Sequence, residues 1–187
     1  MAESGGAPRG REHNTKNGMK ERRIEHTYDC SADVFWSRIF LDDAYNQKLF
    51  LEELHFESWR VIRSEERGTE IHRLVEAVPR LGELPAALKR LLSEGASYQE
   101  RGVLDRAGQR YRLEVTPRSL ASKLSISGEL STTPLTERSC RRTYVARAEA
   151  RVFGVGGLIE DRLLHDIERS YAKAAVFTNR WIAEHGL

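Results

Sequence analysis

The stretch FGVGGLIEDR, Phe153 to Arg162, sets three glycines between a strand pattern and a helix pattern. A phosphate-binding loop is built at such a place when backbone N–H groups and a helix N-terminus converge on an anion. A dinucleotide fingerprint requires Gly-x-Gly-x-x-Gly, but after Gly154 and Gly156 the third position holds Ile159. A P-loop requires Lys and then Ser or Thr after its last glycine, where this sequence offers Leu158 and Ile159. A phosphate site of either kind also needs a further strand after its helix, whereas here the helical pattern runs on to Leu187. The glycines therefore read as geometric: they admit positive φ and let a helix approach the strands closely.

Other residues with chemical potential lie on strand patterns. Glu100 and Arg142 fall in phase with Tyr98 and Tyr144. They either project into an interior, where they would anchor a ligand hydroxyl or carboxylate, or sit at strand ends in water. His72 lies in a strand with either face open to it, and His165 lies near the polar edge of the last helix; His26 and His55 read as structural or exposed. No His-Glu-x-x-His, Gly-x-Ser-x-Gly or spaced Cys/His set occurs, so the sequence calls for no metal, nucleophilic hydrolase or cofactor. The two cysteines, Cys30 and Cys140, are expected to be free thiols in a reducing, cytoplasmic setting.

These residues must be held by a core. A chain of 187 residues with 40% hydrophobic content supports one domain. Its 30 Lys and Arg alternate with 28 Asp and Glu for a net charge of +2, without the clustering that nucleic-acid binding demands. No apolar run reaches the roughly 18 residues needed to span a bilayer. The opening MAESGGAPRGREHNTKNG has no apolar segment, so residues 1–18 read as a disordered tail and 19–187 as the folded domain.

Alternation over KERRIEHTYDCS predicts a first strand. Ser31 and Asp42 are placed to cap two short helices, ADVFWSRIF and DAYNQKLFLEEL. A hairpin follows with its turn near Arg67-Gly68, then a second turning at Ala107-Gly108, then the strand KLSISGEL. In the last strand Cys140, Tyr144, Ala146, Ala148, Ala150 and Val152 share one face. A helix of about 28 residues closes the chain, with Leu163, Leu164, Ile167, Tyr171, Ala174, Thr178 and Trp181 along one stripe. The segment RLGELPAALKRLLSEGA, residues 80–96, reads as a short amphipathic helix with Leu84, Leu88, Leu91 and Leu92 on its apolar side. It serves either as a structural cap or as a lid that meets a membrane surface.

This order of elements resembles the START-like, helix-grip superfamily of the birch-pollen-allergen fold, over residues 20–185. SADVFWSRIFLDDAYNQKLFLEEL is similar to the opening helices of an uncharacterised bacterial branch, and more distantly to sterol-transfer domains. The resemblance implies an α+β fold: a curved antiparallel sheet of about seven strands wrapped around the C-terminal helix, with a ligand cavity between them. Ala146, Ala148 and Ala150, with Gly128 beside them, are small where the helix should face, so either the helix packs unusually close or a cavity is left; the resemblance favours the cavity. Its walls would come from Leu113, Val115, Leu124, Ile126, Tyr144, Ile167, Tyr171, Ala174 and Trp181. The implied function is non-enzymatic binding or transfer of a hydrophobic small molecule, a lipid and possibly a sterol. The alternative is an enzyme like the polyketide cyclases and aromatases of the same fold, marked by a buried acid–base pair. In this arrangement the first and last strands are antiparallel neighbours. Pairing His26 with Tyr144 would set Cys30 opposite Cys140, and a slip of two residues would offset them.

Overall fold

The computed structural model describes residues 13–14, 19–80, 96–119 and 121–187. Strand β2 (Lys20–Tyr28) leads into two short helical segments. The first, α1, is Ala32–Val34 continued by wide π-type turns over Phe35–Phe40; the second, α2, is Asp43–Gln47 continued likewise over Lys48–Glu53. Both start where a side chain satisfies a free backbone donor. Val34 N–H donates to Ser31 Oγ at 3.2 Å and Tyr45 N–H to Asp42 Oδ1 at 2.7 Å.

The remaining strands are β3 (Ser58–Arg67), β4 (Glu70–Val78), β5 (Tyr98–Asp105), β6 (Arg110–Pro117), β7 (Leu124–Thr136) and β8 (Ser139–Ala150). With the two-residue β1 (His13–Asn14) they form one antiparallel sheet in the order β1-β2-β8-β7-β6-β5-β4-β3. The chain thus meanders from β3 to β8 and closes by pairing β8 with β2. The final helix, α3 (Gly156–His185), lies against β2 and β8. This is the curved sheet and gripped helix that the order of elements implied, and the two early helices stand where their caps placed them.

Entry into α3 explains two of the three glycines. Gly154 has φ +79°, and a Cβ on Gly156 would collide with the Ala150 carbonyl oxygen; neither position tolerates a side chain without backbone movement. The helix is then tied down by polar contacts. Arg22 Nη1 donates to Glu168 Oε2 at 2.6 Å, Lys20 Nζ to Asp161 Oδ1 at 2.7 Å, and Ala150 N–H to the buried Glu160 Oε1 at 2.8 Å. Asn179 spans to β2, donating to Thr27 O and accepting from Asp29 N–H, both at 3.2 Å.

The alanines of β8 serve this close approach. Ala146 and Ala148 are 0% exposed, so the first of the two alternatives holds at this strand: the helix comes in tightly over small residues. The β2–β8 register also differs from the expected one by two residues. Ile24, not His26, lies opposite Tyr144, and Tyr28 lies opposite Cys140. Cys30 still neighbours Cys140 from the bend that follows Tyr28. The two thiols are buried beside each other, near enough for each to shift the other's ionisation.

Candidate functional site

The final helix packs against β2 and β8, and among the described residues no long helix fills the concave face of the other half of the sheet. Between α3, the two short helices and strands β4–β8 lies a cavity of about 600 Å³. Its apolar walls come from Phe35, Ile39, Phe40, Leu49 and Phe50 of α1 and α2, from Leu113, Val115, Leu124, Ile126 and Leu130 of the sheet, and from Leu163, Ile167 and Ala174 of α3. The Tyr144 and Tyr171 rings stack at 4.3 Å between centroids, 6° from parallel, and join sheet to helix along one wall. Gly128 is what admits Tyr144, whose hydroxyl end occupies the space a Cβ there would take; Gly102 does the same for Tyr111. Pro79, Arg80 and Ala96 line it as well.

A polar group sits on this apolar lining. Tyr111 OH donates to Glu100 Oε1 at 2.7 Å. Burial raises the Glu100 carboxyl above its ordinary pKa, opposed by the Tyr111 hydrogen bond and the Arg73 charge. Burial and the neighbouring Glu100 raise the Tyr111 phenol in turn, and Tyr98, Tyr144 and Tyr171 are raised chiefly by burial. Arg73 is only 7% exposed; its guanidinium lies 5.3 Å from the Phe40 ring centroid and its Nη1 donates to Phe40 O at 3.5 Å. Arg142 is the second buried guanidinium, 4.6 Å from the Tyr171 ring centroid and 5.0 Å from that of Tyr28. Its Nη2 donates to His26 Nδ1 at 3.1 Å, which requires a lone pair on that nitrogen. Burial, helped by the Arg142 charge, pushes the His26 pKa down to about 4.

Of the residues expected to line a cavity, Leu113, Val115, Leu124, Ile126, Tyr144, Ile167, Tyr171 and Ala174 do so, and Glu100 and Arg142 face into it. Ala146, Ala148 and Ala150 do not: they are covered by the helix. Trp181 is also displaced, because its ring packs on Tyr45, Phe177 and His185 beside α2. His72 faces the outer side of the sheet and pairs with Glu70 at 3.0 Å. Leu84, Leu88, Leu91 and Leu92 lie outside the described residues. The expectation missed Arg73, Tyr111 and the contribution of α1 and α2. Alternation through β4 carries the missing signal: Ile71, Arg73, Val75 and Ala77 are buried in phase, which puts Arg73 inside and His72 outside.

A curved antiparallel sheet that grips a C-terminal helix over an apolar cavity is the helix-grip fold. Solved structures of this shape include the ZhuI aromatase/cyclase from Streptomyces sp. R1128, with TM-score 0.64 and 14% identity over 90% of this chain and 96% of that one. Norcoclaurine synthase from Thalictrum flavum, solved with dopamine and hydroxybenzaldehyde, superposes with TM-score 0.63 and 16% identity over 89% and 88% of the two chains. A third, TTHA0849 from Thermus thermophilus, gives TM-score 0.63 and 15% identity over 89% and 99%. At these identities the likeness is one of fold. Residues 23–182 match the family described as "Protein of unknown function (DUF2505)", and the chain belongs to that family. No curated protein matches the chain.

Proposed function

We propose that the protein binds a largely apolar small molecule, a lipid or a polycyclic compound such as a sterol or aromatic polyketide, between α3 and strands β4–β8. The observation that carries this reading is the cavity of about 600 Å³, apolar on most of its wall, with a few convergent polar groups. Burying about 300 Å² of apolar ligand surface at about 25 cal/mol/Å² yields about 7 kcal/mol before association costs, enough for useful affinity without a covalent step. Glu100, Tyr111, Arg73 and Arg142 supply the polar groups that orient the ligand. The adjacent thiols Cys30 and Cys140 suit a reducing cytoplasm. Titration with the neutral fluorophore N-phenyl-1-naphthylamine tests the reading: saturable binding of one molecule per chain is expected, and no binding overturns it.

A second reading rests on the Glu100–Tyr111 pair. A carboxyl pushed toward its neutral form beside a phenol can donate and recover a proton at a bound carbonyl or enol, which is the chemistry of a cyclase or aromatase. Comparing the small molecules that co-purify with the wild-type and Glu100→Gln proteins by mass spectrometry separates the two readings. A catalyst leaves unconverted substrate, of different mass, on the variant; a carrier leaves the same molecule on both.

A further inference from the structure

A buried cation normally sits against a carboxylate, since removing an unpaired charge from water is costly. Arg142 does not. It is 5% exposed, and no carboxylate pairs with it among the described residues. Its Nε is buried without a hydrogen-bond partner, and its Nη2 is spent on a neutral imidazole. The two tyrosine rings offer only their faces.

The rest of the described lining does not balance this charge. Arg73, the other buried guanidinium, has a backbone carbonyl and a phenyl ring for company. Asp166, on the α3 side, is engaged by Arg162 at 2.7 Å. Glu100 is the one carboxylate left on the described lining, and it already accepts from Tyr111 and lies in the field of Arg73. A guanidinium left short of partners in a dry site is matched by an oxyanion, which supplies the missing charge and an acceptor for an open N–H.

We infer that the ligand of this cavity is an apolar acid, a molecule whose oxyanion seats against the Arg142 guanidinium while its apolar body fills the space toward Leu113 and Ile167. The inference rests on the binding reading above and adds the chemical class of ligand. Arg142 acts as the specificity residue, and the ordering of its guanidinium between the Tyr28 and Tyr171 rings prepares it for that contact.

Two fluorophores that differ by one sulfonate provide the test: N-phenyl-1-naphthylamine, which is neutral, and 8-anilino-1-naphthalenesulfonate, which carries an oxyanion. The full-length protein should bind the sulfonate at least tenfold more tightly at low salt, and the sulfonate should displace the neutral probe. Arg142→Met should weaken the sulfonate at least tenfold and change the neutral probe less than threefold, with Arg142→Lys between. Equal weakening of both probes, a sulfonate affinity that Arg142→Met leaves unchanged, or sulfonate binding that does not displace the neutral probe overturns the inference and leaves the binding reading standing. Uptake of neither probe by the wild-type protein overturns both. Should Arg142→Met fail to fold, the ratio of the two affinities in the wild-type protein still decides, because a ratio near one contradicts a seat for the oxyanion.

Discussion

Replacing Ala148 by Leu asks whether the small residues of β8 exist for the helix or for the ligand. Ala148 is wholly covered, pairs with Lys20 on one side and Ile126 on the other, and belongs to the same packed core as Leu164, Ala174 and Phe177. Extra methylenes in a full site cost about 1–3 kcal/mol. With an m-value of about 2 kcal/mol/M for urea, a cost of about 2 kcal/mol lowers the unfolding midpoint by about 1 M. For a chain of this size the same cost lowers Tm by about 4–8 °C. Ile126→Phe is the counterpart, because Ile126 faces the cavity and the larger ring enters space that is already empty. Its cost should stay below about 1 kcal/mol, since no neighbour must move. Urea unfolding and N-phenyl-1-naphthylamine titration on both variants give opposite patterns: Ala148→Leu loses stability and keeps the probe, while Ile126→Phe keeps stability and loses the probe. An Ala148→Leu protein that unfolds like the wild type yet no longer binds the probe would refute the assignment of the alanines to helix packing.

Two further outcomes follow from the polar groups. The His26 pKa is about 4 in the folded protein against 6.5 unfolded, so its contribution is fully present above pH 6.5 and drains away as the pH falls toward 4. Allowing for its half-buried position, the loss across that window is about 2 kcal/mol; His26→Gln should flatten the stability curve between pH 6.5 and 4, and an unchanged slope in urea titrations would contradict it. Tyr111→Phe removes the donor that Glu100 uses, so it should cost about 1–3 kcal/mol in urea unfolding at pH 7; Glu100→Gln, whose amide oxygen still accepts from Tyr111, should be milder, and the reverse order would count against a direct hydrogen bond.

The fold was legible in the sequence because each of its marks is local. Ser31 and Asp42 cap the short helices, alternation marks β6 and β8, and a long amphipathic stripe after Gly154 marks α3. The cavity's position was less so. Small residues on a strand report that something is near but not whether it is a helix or a void, and Ala146 and Ala148 turned out to report the helix. Trp181 shares a stripe with Tyr171, yet ten residues of helix carry it past the cavity to the α2 side, where Tyr45 receives it. The faces of His72 and Arg73 were harder to read, because the irregularity between Val61 and Arg63 breaks the alternation of β3 and masks, in the hairpin taken as a whole, the regular alternation of β4. The pairing of Glu100 with Tyr111 joins diagonal positions on β5 and β6, and depends on Gly102 leaving room for the ring. The sequence shows both residues but not the open lattice point between them.

On the reading proposed above, the space between α3 and β4–β8 holds the ligand. A crystal structure of the protein with N-phenyl-1-naphthylamine tests it directly. The probe is expected against Leu113, Ile126 and the Tyr144–Tyr171 stack, inside the cavity. A probe bound on the outer face of the sheet, among Arg101, Arg112 and Arg147, with the cavity empty would contradict it.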